Sequence, residues 1–231
     1  MEDAIVALVP MKHNSERVKN KNHREFNGRP LFHWILATLE KAELVDRIVV
    51  NTDSTQIAEG AIDQFNVEII RRPEHLCGDS ISMNRIIQYD IEHTEADLYL
   101  QTHCTNPLVK PETVDRAIQT FKTSSFDSLF SVTRIQSRYW TSDAEPINHD
   151  RNQLIPTQNL DPTYEENSNI YLFNKKMFEV QQNRIGSEPL LFEMEYAESV
   201  DIDYPVDFQI AECLHQREYG VNPSFEDVFE N

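Results

Sequence analysis

Glycine is scarce in this chain, with five in 231 residues and no G-x-G-x-x-G or Walker A pattern among them. The usual glycine-rich phosphate cradles are therefore missing. Cysteine is scarcer still: Cys77, Cys104 and Cys213 are odd in number and lack metal-ligand spacing, which points to reduced thiols and a cytoplasmic setting. His13, His103 and His149 stand at no metal spacing with each other or with the cysteines, so a zinc site is not expected. No Ser, Cys or His arrangement carries a hydrolase signature. No apolar run approaches the roughly 20 residues that span a bilayer. The opening MEDAIVALVP is acidic where a secretory leader is basic. Positive charge is also in short supply: 21 Lys and Arg against 39 Asp and Glu leave a net charge of −18. That balance argues against nucleic acid or an anionic membrane as partner.

Against this background, five basic residues crowd into one short run, VPMKHNSERVKNKNHREFNGRPL: Lys12, Arg17, Lys19, Lys21 and Arg24. A cationic loop in an acidic chain suits one specific anionic ligand, since a general affinity for polyanions needs charge spread over a face. The loop follows an apolar strand-like run, Ile5–Pro10, and precedes a helical pattern (Leu31, Ile35, Leu36, Leu39) with Pro30 suited to the first helical position. A loop between a first strand and a first helix is a common phosphate site. Lys12, Lys21 and Arg17 can neutralise a polyphosphate, Ser15 can add a hydrogen bond, and Asn22 can meet a base edge or a sugar hydroxyl. A plain solvated loop is the competing reading.

Strand-like and helix-like segments then alternate. Strands are expected at 48–50, 67–70, 98–101, 128–133 and 169–173, and helices at 55–65, 83–92, from 111, and after 207, the last with Phe208, Ile210, Ala211 and Leu214 on its apolar side. This order predicts an α/β fold, a mostly parallel sheet with helices on both faces and ligands beyond the carboxyl ends of its strands. From 135 to 166 hydrophobic periodicity fades and Pro, Asn, Asp and Gln become frequent. This stretch is too long for a plain connection and reads as an inserted arm of a single 1–231 domain, one that completes an acceptor site or pairs with a second subunit. The tail after Tyr219 is acidic and reads as loosely held.

Near the other end stands D-I-D-Y-P-V-D, with Asp201, Asp203 and Asp207. Strand alternation would place Asp201 and Asp203 on one side and Ile202 on the other. Two such carboxylates suit Mg²⁺, with phosphate and water completing the octahedron; Asp207 reads better as a helix cap. In R-R-P-E-H-L-C-G-D-S-I-S, Arg72 and Asp79 bracket a turn into a helix starting near Ser82, where a surface ion pair and an N-cap are the alternative. In L-Q-T-H-C-T-N-P-L, Gln101 ends a central strand, where it touches a ligand or satisfies backbone groups.

Taken together and in order, these segments resemble the sugar-acid cytidylyltransferases, the acylneuraminate (CMP-sialic acid) synthetase family, with CMP-KDO synthetases more distant. The family's P-A-R-x-G-S-K-x-I-x-x-K-N followed by G-K-P-L is similar to P-M-K-H-N-S-E-R-V-K-N-K-N followed by G-R-P-L, with His13 and Asn14 where the family is glycine-rich. R-P-x-x-L-x-x-D looks like R-P-E-H-L-C-G-D, L-Q-P-T-S-P-L looks like L-Q-T-H-C-T-N-P-L, and N-G-x-I-Y looks like N-S-N-I-Y from Asn167. The resemblance implies a Rossmann-like sheet of the nucleotide-diphospho-sugar transferase type, and transfer of CMP from CTP to the anomeric hydroxyl of a nonulosonic or related sugar acid. It implies Lys21, Asp201 and Asp203 as catalytic, with Mg²⁺ on the two aspartates. Lys12, Ser15, Arg17, Lys21, Asn22, Arg72, Asp79 and Ser82 would hold the nucleotide, Gln101 and Asn167 the acceptor, in a homodimer. The family also keeps R-Q near the arm and an Arg shortly before N-G-x-I-Y, and these help hold the acceptor's carboxylate. This chain has Thr157-Gln158 and Glu165-Glu166 there. Either Arg134, Arg138 or Arg151 supplies the charge, or the acceptor differs, for example a phosphonate. A non-catalytic nucleotide-binding module and a UTP- or GTP-dependent transferase are the other readings.

Overall fold

The computed structural model describes residues 4–15 and 17–229. Its first strand, β1 (Ile5–Met11), is buried at every position, as expected of a central parallel strand covered on both sides. A short hairpin follows, β2 (Glu25–Phe26) and β3 (Arg29–Pro30). Asn27 and Gly28 close it with φ of 44° and 88°, the two positive values that a two-residue type I′ turn demands. The chain continues through α1 (Leu31–Lys41), β4 (Arg47–Thr52), α2 (Thr55–Gln64), β5 (Val67–Arg71), α3 (Met83–Glu92), β6 (Leu98–Gln101), α4 (Pro111–Lys122) and β7 (Ser128–Ile135). It ends with β8 (Thr163–Phe173), α5 (Lys175–Gln181), β9 (Pro189–Glu193), α6 (Pro205–Tyr219) and α7 (Phe225–Phe229).

Seven strands form one sheet in the order β5-β4-β1-β6-β8-β7-β9. Neighbours are parallel except at β8, which runs against both β6 and β7. Successive β1 side chains enter two cores. Ile5, Ala7 and Val9 pack with Ile35, Ile57 and Ile118 from α1, α2 and α4, while Val6 and Leu8 pack with Ile87 and Ile91 of α3 and Met177 and Phe178 of α5. The chain first steps outward from β1 through β4 to β5, then returns to place β6 on the other side of β1. That reversal opens a crevice at the carboxyl ends of β1 and β6, where ligands of open α/β sheets bind. A third core joins the two ends of the chain: Phe26, Leu31 and Trp34 pack with Ile202, Phe208 and Ala211.

Several expectations change in three dimensions. Pro30 is the N-cap residue of α1 rather than its first helical residue, because it is still paired in the hairpin. β8 begins at Thr163, so residues 163–166 of the expected arm belong to the sheet and only 136–162 project from it. Asp201 and Asp203 lie in an irregular segment instead of a strand, yet the alternation survives, with Ile202 fully buried between two half-buried aspartates. On α6 the buried stripe is Phe208, Ala211 and His215, at spacings of three and four; Ile210 falls off it and is exposed. The tail after Tyr219 is held, since α7 sets Phe225 against Trp34 and Phe65. Helix α5 and strand β9 were not anticipated: α5 is short, and β9 sits at the sheet edge with little alternation in its burial.

His215 is the polar member of the third core. Its Nδ1 faces the Asn27 amide at 2.8 Å and its ring lies 4.2 Å from that of Trp34. Burial pulls its pKa from 6.5 down to about 4. Between those values the unfolded chain binds the proton and the folded one does not, so His215 favours folding above pH 6.5 and loses that contribution as pH falls toward 4. The loss is on the order of 3 kcal/mol at most. Urea midpoints measured across this window should therefore fall with acid less steeply in His215→Gln than in the wild type.

Candidate active site

A cavity of about 580 Å³ lies beyond the carboxyl ends of β1 and β6. Lys12, Ser15, Arg17, Lys21, Asn22, Arg72, Asp79, Asp201 and Asp203 all line it. Residues from the start, the first third and the far end of the chain thus share one wall. The clasp between its ends is short. Lys21 Nζ donates to the Ile202 carbonyl and lies 3.6 Å from Asp203 Oδ1. Arg17 reaches the same Asp203 oxygen at 2.7 Å. Lys12 pairs with Asp79 across the mouth. Of the remaining basic residues in the run, Lys19 is exposed and Arg24 stacks on Phe208 at 4.4 Å.

The loop is held without glycine by side chains. Asp53 accepts from the His13 backbone N–H at 2.6 Å, and His13 Nδ1 lies 2.9 Å from Ser54 Oγ. Asn22 Nδ2 donates to the Lys12 carbonyl at 2.7 Å, while its Oδ1 accepts from the Cys104 thiol at 3.1 Å. Asn20 takes φ of 54°, in the left-handed region that asparagine tolerates. Arg72 is likewise engaged at the cavity wall: Nε donates to Asn51 Oδ1 at 2.7 Å and Nη2 to the Met11 and Asn51 carbonyls at 3.2 and 3.1 Å. The Asn51 amide continues this line to the buried Asp90, whose carboxyl burial pushes up to about 7.

Asp207 acts as the cap expected of it, its carboxylate accepting from the backbone N–H groups of Asp203 and Tyr204 at 3.0 and 2.6 Å. That bond pins the turn that presents Asp203. Burial, reinforced by the charge of Asp203, raises the Asp201 pKa, against hydrogen bonding from Thr105 and the charges of Lys21 and Arg17. Among the described residues no three His, Cys, Asp or Glu side chains form a metal cluster. Two carboxylates beside a phosphate-suited wall is nevertheless a sufficient protein contribution for Mg²⁺, which is commonly held by one or two carboxylates plus substrate phosphate.

Three of the sequence-selected residues lie outside this cavity. Ser82 is the exposed N-cap residue of α3 and makes no capping bond. Gln101 is fully buried, donating to the Thr102 carbonyl and accepting from Arg184. Asn167, also buried, accepts from Ser131 Oγ at 2.6 Å and lines a second cavity of about 510 Å³. The two cavities meet at Ser168, Asp201 and Asp203. Ser168 stands in a β8 bulge at φ of 59°, in the place where N-G-x-I-Y has glycine. Sequence reasoning did not select it, nor His103, Thr105, Ile81, Met83 and Ile86, which also line the first cavity. His103 and Thr105 were visible in the segment after Gln101. The three apolar residues offer a wall for a flat ring; the sequence pattern places Met83 and Ile86 in the 83–92 helix and gives no role to Ile81. Burial beside Arg184 and Lys21 pulls the His103 pKa down to about 3, so its ring is neutral.

A mostly parallel sheet with cations and paired carboxylates gathered at its switch point defines an α/β protein whose crevice suits an anionic ligand. Comparison gives the family: the model described as Cytidylyltransferase matches residues 6–224, and the chain belongs to that family. It is similar to the CMP-N,N'-diacetyllegionaminic acid synthase of Legionella pneumophila, 30% identical over 227 residues, covering 91% of this chain and 95% of the relative. It is also similar to N-acylneuraminate cytidylyltransferase A of Danio rerio, 26% identical over 215 residues, covering 90% of this chain. The chain spans about half the length of that relative, 50% of it being covered. Among solved structures, a CMP:2-keto-3-deoxy-manno-octonic acid synthetase complexed with CTP shares the fold at a TM-score of 0.70 and 16% identity, over 93% of this chain and 99% of that one. No helix among the described residues is long and apolar enough to cross a membrane.

Thiol chemistry provides a check on the packing of this site. Cys104 is buried against Asn22 and burial pushes its pKa up to about 12, whereas Cys213 is exposed. Since the thiolate is the nucleophile, a disulfide-exchange reagent should modify Cys213 in the native protein and reach Cys104 only on unfolding, as read by mass spectrometry of the labelled peptides.

Proposed function

We propose that this protein transfers CMP from CTP to the anomeric hydroxyl of a nonulosonic or related sugar acid, releasing pyrophosphate, and that it uses Mg²⁺. The observation that carries this reading is the meeting of Lys12, Arg17 and Lys21 with Asp201 and Asp203 in one cavity at the sheet's switch point. The acidic names of its relatives support the acceptor class.

The triphosphate would lie along Lys12, Arg17 and Lys21, with Ser15 adding a hydrogen bond. The base would rest on the wall of Ile81, Met83 and Ile86, with Arg72 and Asp79 at its rim. The acceptor, entering from the second cavity, would present its hydroxyl at the junction by Ser168. Oxygen then attacks the α-phosphorus, a new P–O bond forms as the bond to the β-phosphate breaks, and the hydroxyl proton passes to solvent. Charge accumulates on the phosphoryl oxygens and the leaving group, so positioning and electrostatic stabilisation supply most of the rate. Asp201 and Asp203 would hold Mg²⁺, which when bound would offset phosphate charge and acidify a coordinated hydroxyl. The positive charge of that ion would favour the ionised Asp201 against the burial that raises its pKa. His103 is too weak a base, at about 3, to take the proton at neutral pH.

Pyrophosphate release with CTP, Mg²⁺ and candidate acids tests the reading. Asp203→Asn should lose at least about a hundredfold in turnover, with thermal unfolding little changed; near-normal turnover in that variant would refute the metal assignment. Of the four nucleoside triphosphates, CTP should raise the melting temperature most. We further propose a homodimer formed through the arm, which exposes Trp140, Ile147 and Leu154. Light scattering should give twice the chain mass, and charged residues at those three positions should give the monomer.

A further inference from the structure

The second cavity poses a charge problem for an acid acceptor. Glu165, Glu166, Asp201, Asp203 and Asp207 line it, and among the described residues no Lys or Arg does. The arginines of the arm and of the end of β7 lie elsewhere. Arg138 donates to the Ile155 carbonyl, Arg151 lies 3.7 Å from Glu145, and Arg134 lines a different cavity with Arg116. A carboxylate entering here needs a cation that the lining does not display.

One stands directly behind the wall. Arg184 comes from the segment between α5 and β9, and its side chain is only 15% exposed. Its guanidinium lies over the Tyr171 ring, 3.5 Å from the centroid. One edge donates to Gln101 and faces His103 Nε2 at 3.4 Å. The other edge, Nη2, lies 3.8 Å from Glu166 Oε1. The same Glu166 oxygen accepts from the Tyr171 hydroxyl, which also lies 3.2 Å from Ser168 Oγ. Glu166 thus places a carboxylate where a planar cation, a phenol and a serine hydroxyl converge, beside the residue that joins the two cavities.

Resting on the function proposed above, we propose that Arg184, the Tyr171 hydroxyl and Ser168 Oγ form the subsite for the acceptor's carboxylate, and that Glu166 fills this subsite as an internal stand-in until the acceptor arrives. The two partners differ in their freedom. The Glu166 side chain is 42% exposed and can turn into solvent, and an ion pair of such exposure is weak. Arg184 is clamped by stacking and by Gln101, cannot follow it, and is left needing an anion. A guanidinium fixed in plane accepts an incoming carboxylate without reorganisation, a geometry lysine does not reproduce. Because its far edge holds His103, a wall of the nucleotide cavity, the carboxylate is registered against the bound nucleotide.

Calorimetric titration of N,N'-diacetyllegionaminic acid and 2-keto-3-deoxy-manno-octonic acid, and of their methyl esters, into the CTP-loaded protein with a chelator in place of Mg²⁺ tests this without turnover. The wild type should prefer an acid over its ester by about tenfold or more. Arg184→Gln should erase that preference while holding CTP affinity within roughly twofold, Arg184→Lys should restore part of it, and Glu166→Gln should tighten acid binding several-fold. Unchanged discrimination in Arg184→Gln, its loss in Arg134→Gln instead, or equal losses of acid and CTP affinity would overturn the subsite. CTP binding with no binding of either acid overturns it as well, leaving the nucleotide site standing. Failure to bind CTP at all removes the proposed function and this subsite together.

Discussion

The architecture of the site depends on one long-range clasp, Lys21 against the Ile202 carbonyl and Asp203. A nearly buried ammonium is costly unless its hydrogen-bonding capacity is met, and here a carbonyl and a carboxylate from the far end of the chain meet it. The clasp is registered by packing rather than by charge. Ile202 is fully buried among Phe26, Trp34 and Phe208, so its two neighbours must turn the other way, toward the cavity. The carboxylates are therefore aimed by a hydrophobic residue between them and by the Asp207 cap behind them.

Charge is distributed with economy. In a chain of net charge −18, the crevice gathers four cations, Lys12, Arg17, Lys21 and Arg72, beside three aspartates, and a polyphosphate would find its partners there rather than on the acidic remainder of the surface. Several of these cations are matched to an anion already present, Lys12 to Asp79 and Arg17 and Lys21 to Asp203, as is Arg184 to Glu166, while Arg72 is held by Asn51 and backbone carbonyls. Binding at such a site exchanges partners more than it creates new pairs. This makes affinity sensitive to which anion wins each paired cation.

Backbone strain takes the place of glycine. Asn20 and Ser168 both occupy the left-handed region, one in the cationic loop and one at the junction of the two cavities. Each costs on the order of 1–2 kcal/mol relative to relaxed backbone, less for asparagine. At Ser168 the strain delivers a hydroxyl that glycine lacks. Cross-bracing by His13, Asp53, Ser54 and Asn22 does for the first loop what a glycine-rich turn does by conformational freedom.

Much of this was legible in the chain itself. The alternation of buried runs and helical periods is local, so β1, β4, β5, β6, α3 and α4 appear close to where they were expected, and the cationic loop and the paired aspartates stand out as departures from composition. The Asp207 cap, which was expected, and the Asn27-Gly28 turn, which was not, also depend on neighbours within a few residues. What sequence alone could not decide is set by contacts across long separations. That Arg72 braces Asn51, that Gln101 is turned inward by Arg184, that Ser82 faces solvent, and that Glu166 meets Arg184 all follow from which strands lie side by side. Only the fold brings those side chains together, because side-chain partnership is a property of distance in space, whereas propensity and period are properties of distance along the chain.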